Sequence, residues 1–268
     1  MVSRKTEQKR LLLAIDLDGT LLNDDLQVSE GNLRGLEAAK EAGVTIAIAT
    51  GRSLESAMYA VDRYDFFDYT LCHNGGLVYD HAEKRRLHVN GIDKDTVRKI
   101  VEFCLSEGES LYVRALDLWG LIGQDSTAEK FINLADNPIK QIASPAELEE
   151  QDVISLVVPG DRDKVRRFIE ANNLPVTTAI SAPQGMDIQG MDVNKGRALQ
   201  VLAEILGFER PEIIAIGNYF NDIEMLQVAN IGIAIANSPT EVRGAADYVT
   251  ANSNNEDGVL EALQKFVL

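Results

Sequence analysis

Residues 11–20 read LLLAIDLDGT: five consecutive apolar residues run straight into Asp16, and Asp18 follows two positions later. An apolar run this short, stopped by turn formers, is a strand with both faces buried. Such strands lie inside parallel sheets covered by helices on either side. In open sheets of that kind, ligands bind beyond the carboxyl ends of the strands, which is where Asp16 and Asp18 fall. Alternate residues of an extended chain point to one side, so the two carboxylates are predicted to face a single site. Two anions that close repel unless a cation lies between them, and a hard divalent cation with oxygen ligands is the natural candidate.

The flanking sequence repeats the same unit. Ser29 is placed to cap a helix running to about Ala42, with Gly43 at its end. VTIAIA at 44–49 is a second buried strand ending in Thr50-Gly51-Arg52, and Ser53 opens the helical stretch LESAMYAVDRY. Residues 69–72 form a third strand ending in HNGG at 73–76, and a strand pair near 77–80 and 86–90 follows. The middle is less regular. It reads as a helix from Asp93 to Glu107, strands at 111–115 and 118–122, a helix near 126–135 with Pro138 beyond it, a strand at 153–158, a helix at 161–171 and strands near 176–180 and 185–189. Strict alternation then returns, from an Asn194-capped helix ending near Gly207, through the strand at 213–216, to a C-terminal helix.

The pattern predicts an α/β protein: a doubly wound, mainly parallel Rossmann-like core interrupted by an inserted α+β module. The expected division is core at 1–84, insert at 85–188 and core again at 189–268.

Charge and cysteine content narrow the function classes. A net charge of −16 argues against a nucleic-acid or anionic-membrane partner, which would need a basic face. An anionic substrate would then have to be held locally, by a cation, a lysine and backbone N–H groups. Cys72 and Cys104 have no CxxC spacing, so neither a disulfide framework nor a zinc site is expected, and the expected compartment is a reducing cytoplasm. Residues 1–9 read as a solvated tail, and no apolar segment reaches spanning length.

Four polar clusters fall at strand ends or helix starts: Asp16 with Asp18, Thr50 with Gly51, Lys195, and GNYFND at 217–222. Each has an ordinary structural explanation. The aspartates could make Asx turns, Thr50 or Ser53 could cap a helix, Lys195 could be solvated, and Asn221 with Asp222 could cap the next helix. Lys195, however, sits in the first turn of its helix, where the macrodipole disfavours a cation by roughly a few tenths of a kcal/mol. A neighbouring anion would account for that position.

Taken in order, DLDGT at 16–20, ATGR at 49–52, Lys195 in DVNKGRAL and GNYFND at 217–222 resemble the four motifs of the haloacid dehalogenase-like (HAD) phosphohydrolase superfamily, and within it the Cof-type hydrolases. HNGG at 73–76 and the ending AIANSPTEVRGAADYVTANSNNEDGV are similar to that group as well, and the likeness spans essentially the whole chain.

The resemblance implies a Mg²⁺-dependent phosphatase of small phosphomonoesters such as sugar phosphates, nucleotides or pyridoxal phosphate. Asp16 would be the nucleophile that forms an aspartyl-phosphate, and Asp18 the general acid and then base. Thr50, Gly51 N–H, Lys195 and Asn221 would hold the phosphoryl oxygens. Asp16, Asp18, Asn218 and Asp222 would form the metal site, Arg52 and Asn74 would line its mouth, and the insert would act as a mobile cap.

One departure is chemical. The family's fourth motif most often begins Gly-Asp, whereas this chain has Gly217-Asn218, which removes one negative charge from the metal site. A sugar phosphomutase of the same superfamily, or a catalytically weakened phosphometabolite-binding protein, remains an alternative. His73, His81 and His88 have no mutual metal spacing and read as surface or loop residues. Tyr112, Arg114 and Trp119 belong to the insert, where packing is the simpler role and contact with the leaving group the alternative.

Overall fold

The computed structural model describes residues 10–124, 139–159, 162–182 and 185–268, with backbone alone at 179–182. The tail expected at 1–9 and the helix expected near 126–135 lie outside these residues, as does Pro138.

The chain separates into two compact units, one running to His88 and resuming at Asn194, the other Val89–Val193. The expected boundaries lay four and five residues earlier. They shift because the strand Arg85–Val89 joins the first unit's sheet, and because the strand Gly185–Gly190 completes the second unit's sheet before the chain returns.

The first unit is built on an eight-stranded sheet. Its strands are β1 (Leu12–Ile15), β2 (Thr45–Ala49), β3 (Tyr69–Cys72), β4 (Leu77–Asp80), β5 (Arg85–Val89), β12 (Ile213–Gly217), β13 (Ile231–Ala234) and β14 (Tyr248–Val249), in the order β14-β13-β12-β1-β2-β3-β4-β5. From β14 to β3 every pairing is parallel, and β4 turns back antiparallel to β3.

The central strand β1 explains why the sequence opens as it does. Leu13 and Ile15 point to a core shared with α1 (Glu30–Glu41) and the C-terminal helix Gly258–Phe266, while Leu12 and Ala14 point to one shared with the helices Lys195–Leu206 and Ile223–Val228. Each leucine fully buried in this way contributes about 1.5–3 kcal/mol. Ser29, Ser53 and Asn194 cap their helices as expected, accepting from Asn32 N, Ser56 N and Arg197 N. Each such cap is worth about 1 kcal/mol.

The second unit carries a six-stranded sheet in the order β10-β11-β9-β6-β7-β8. Its strands are β6 (Leu111–Ala115), β7 (Trp119–Ile122), β8 (Lys140–Gln141), β9 (Val153–Val158), β10 (Val176–Ala182) and β11 (Gly185–Gly190). All of its pairings are antiparallel except β7 with β8. Val113, Leu156, Val158 and Ile188 pack on the helices Lys94–Glu107 and Arg162–Ala171. The opposite face carries Arg114, paired with Trp119 on one side and Ser155 on the other, with Gln189 beyond Ser155. Cys72 and Cys104 are buried free thiols. Among the described residues no helix is long and apolar enough to cross a membrane.

Candidate active site

Asp16 follows β1 directly, and its backbone N–H still donates to Ile216 O at 3.0 Å, so the strand end fixes it. The buried carboxylate has two partners: Lys195 Nζ donates to Oδ1 at 2.6 Å and Thr20 Oγ1 donates to Oδ2 at 2.8 Å. Burial, followed by the nearby Asp222 carboxylate, pushes Asp16 up to about 7, although Lys195 and Thr20 pull the other way. Removal from water disfavours the ion, and only local donors and cations offset that.

Lys195 opens the helix Lys195–Leu206 and its side chain is 1% exposed, lying 2.6 Å from both Asp16 Oδ1 and Asp222 Oδ1. Burial works to lower its pKa, but the two carboxylates outweigh that and hold the ammonium above its ordinary range. The cation's awkward place in the first helical turn is thereby explained: two anions offset the macrodipole. Asp222 is fully buried, and its second oxygen accepts from the backbone N–H groups of Asn218 at 2.8 Å and Tyr219 at 2.9 Å. The loop 217–222 is thus wrapped around one carboxylate. A Cβ on Gly217 would lie 2.6 Å from that of Asp222, so the wrap needs glycine there.

Thr50, buried at the end of β2, is held by its N–H donating to Leu71 O at 2.8 Å, and its hydroxyl oxygen accepts from Arg52 N at 3.1 Å. Ser53 rather than Thr50 caps the next helix. The Thr50 hydroxyl therefore keeps its own proton for another acceptor.

Asp18 has different company from Asp16. Its side chain is 49% exposed and forms a two-pronged ion pair with Arg52, Nε to Oδ2 at 2.8 Å and Nη2 to Oδ1 at 2.5 Å. The residue that joins Asp16 through a shared hydroxyl is Asn218, whose Oδ1 lies 3.1 Å from Thr20 Oγ1. On the other rim, exposed Asn221 donates through Nδ2 to Asn74 Oδ1 at 2.9 Å. The structure therefore brings together Asp16, Asn218, Asp222 and Lys195, sets Asp18 on Arg52, and sets Asn221 on Asn74.

The shared sequence pattern of the haloacid dehalogenase-like hydrolases matches residues 13–263 of this chain. The chain belongs to that family.

Among curated relatives, a 5-amino-6-(5-phospho-D-ribitylamino)uracil phosphatase of Bacillus subtilis is 27% identical over 96% of both chains. A phosphoglycolate phosphatase of Methanothermobacter thermautotrophicus is 28% identical over 95% of this chain and 98% of its own. Of the solved structures, a haloacid dehalogenase-like hydrolase from Bacteroides thetaiotaomicron superposes with a TM-score of 0.82 at 26% identity, covering 96% of this chain and 99% of that one. The chain is accordingly an enzyme of the HAD hydrolase superfamily, and both of these curated relatives carry phosphatase names.

Membership in the HAD family implies a divalent cation, and the donor set can be tested against one. Asp16 Oδ2 and Asn218 Oδ1 both converge on the Thr20 hydroxyl, which has one proton to give. Around them, two buried carboxylates face one lysine, leaving a net negative charge. Hard oxygens and an unmatched negative charge fit Mg²⁺. Among the described residues no group of three or more His, Cys, Asp and Glu side chains is placed to hold a metal.

Two residues of this HAD-like site went unread in the sequence. Thr20 ties Asp16 to Asn218, and its only sequence signal is its place inside DLDGT. His73, read as a surface or loop residue, is in a loop but buried, with left-handed backbone at φ 51°. His81, read the same way, is half-buried and hydrogen-bonded to Thr70 Oγ1 at 2.7 Å.

Proposed function

We propose that this chain is a Mg²⁺-dependent phosphatase of small phosphomonoesters, working through an aspartyl-phosphate on Asp16. The reading rests chiefly on one observation: a buried, strand-anchored carboxylate with one oxygen on Lys195 and the other sharing the Thr20 hydroxyl with the Asn218 amide oxygen.

In this scheme Mg²⁺, held by Asp16 and Asn218, supplies neutralising charge for the phosphoryl oxygens when bound. Asp16 attacks phosphorus, forming the acyl-phosphate bond as the bond to the leaving oxygen breaks. Asp18, kept in place by Arg52 through one oxygen, gives the leaving oxygen a proton from its other and then takes one from the water that hydrolyses the acyl-phosphate, which restores Asp16. Thr50 Oγ, Gly51 N–H and Lys195 take the phosphoryl oxygens as their charge redistributes. Asp222 keeps Lys195 charged and the 217–222 loop closed around it.

As the family resemblance implies a cap role for the insert, its side chains are the candidates for selecting the leaving group. Trp119 Nε1 and Ser155 Oγ are buried there without a hydrogen-bond partner, on the sheet face that carries Arg114. Unused donors beside a guanidinium suit a hydroxyl-rich leaving group such as a sugar or alditol. Two buried free thiols suit a reducing cytoplasm.

Release of inorganic phosphate from a panel of phosphomonoesters, with and without Mg²⁺ and beside Asp16→Asn, tests the proposal. Metal-dependent release lost in the variant is expected. Transfer of the phosphoryl group within one sugar, with no phosphate set free, would instead make the enzyme a mutase. Binding without turnover would favour the weakened reading that Asn218 suggests.

A further inference from the structure

Residues 73–75 form a turn with three successive positive φ values: 51° at His73, 55° at Asn74 and 103° at Gly75. Left-handed backbone at two adjacent non-glycine residues is costly, so the surrounding contacts must over-determine it. Those contacts reach three of the four motif loops. His73 N donates to Arg52 O at 2.9 Å and Asn74 N to Thr50 O at 3.0 Å, which ties the turn to the loop after β2. Gly75 lies so close to the start of the Lys195 helix that a Cβ would come within 2.4 Å of Asn194 O. The Asn74 side chain accepts from Asn221 Nδ2, and a Cβ on Gly51 would stand 3.0 Å from the same Asn74 oxygen.

We infer that Asn74 is a positioning residue, the strut through which one strained turn sets Asn221 against Gly51 beside the phosphoryl-binding groups. The inference rests on the phosphatase reading of this site and gives Asn74 a different task from lining the substrate. Its acceptor oxygen is committed to Asn221, so it acts on the phosphoryl group through its neighbour. Asparagine suits the position on two counts. It tolerates left-handed backbone better than most residues, and its amide oxygen faces a donor.

Asn74→Gly separates these two properties, since glycine accepts the backbone conformation and deletes only the amide. The test compares this variant with Asn221→Ala and with the double variant. It measures kcat and KM for a simple phosphomonoester, and calorimetric affinity for orthovanadate and for inorganic phosphate. Loss of one oriented hydrogen bond is expected to weaken vanadate binding and kcat by about tenfold in either single variant. KM and the affinity for phosphate should change less. The double variant should be no worse than the worse single one, because both remove the same link.

Losses that multiply would mean that Asn74 touches the ligand itself and would overturn the inference. So would an Asn74→Gly protein that binds vanadate as the unmodified chain does. If the unmodified chain hydrolysed no phosphomonoester while Asn74→Gly still lost vanadate affinity, the phosphatase reading would fail and the strut would stand.

Discussion

Replacing Lys195 by methionine removes the charge at the centre of the site while keeping most of the buried volume. In the native chain its ammonium makes two charge-assisted hydrogen bonds of 2.6 Å, at 1% exposure. Deleting one member of a buried ion pair costs about 3–5 kcal/mol, because the remaining charge is stranded. Here two carboxylates would be stranded together. Against the stability of about 5–15 kcal/mol usual for a folded domain, the variant should fold but melt early.

The deficit should also depend on pH, with a sign that follows from Asp16. Its folded pKa of about 7 lies above the ordinary 3.8. Between those values the folded state holds more protons than the unfolded one, so stability falls as pH rises. Without Lys195 the folded pKa rises further and that window widens. Urea melts of the metal-free proteins should therefore show a smaller deficit near about pH 5, where Asp16 carries a proton and Asp222 alone has lost its counter-ion, than near about pH 8, where it should reach about 3–5 kcal/mol. A deficit that is the same at both pH values, or below about 1 kcal/mol at the higher one, would refute the claim that Lys195 balances two buried anions.

Three further expectations concern single positions. Asn218→Asp restores a carboxylate beside Thr20 and should lower the Mg²⁺ concentration for half-maximal phosphate release several-fold; an unchanged titration would remove Asn218 from the metal site. Arg52→Gln deletes the two-pronged partner of Asp18 and should reduce kcat/KM by about tenfold through lost orientation, with full activity counting against the pair. Burial lowers His81 despite the pull of Asp68 and Asp80, so the stability it confers is present above about pH 6.5 and lost as pH falls through the depressed value. His81→Gln should flatten that acid limb in urea melts, and an unaltered slope would contradict the assignment.

How far the sequence could be read depended on whether a feature is local. Buried strands such as Leu12–Ile15 and Thr45–Ala49 announce themselves as apolar runs, and caps such as Ser29 and Asn194 through a single side chain. The mismatch of Lys195 with its helix dipole was likewise visible, and its two counter-ions bear out that logic. What a linear pattern does not carry is how side chains divide among partners across the sheet. Spacing put Asp16 and Asp18 on one side, but Arg52, thirty-four residues away in sequence, takes Asp18, while Asn218 shares Thr20 with Asp16. The left-handed turn at 73–75 was equally hidden, because HNGG marks a turn without saying which loops it touches. The short strand Lys140–Gln141 went unread for a related reason: two residues show no periodicity, and only the neighbouring β7 makes them a strand.

The most direct test of the account is to quench a turnover reaction in acid and map the phosphorylated peptide by mass spectrometry. One phosphoryl group joined to the Asp16 carboxylate as an acyl-phosphate, absent from Asp16→Asn, is expected. Phosphate release that continues in Asp16→Asn, or a phosphoryl group found on any other side chain, would contradict it.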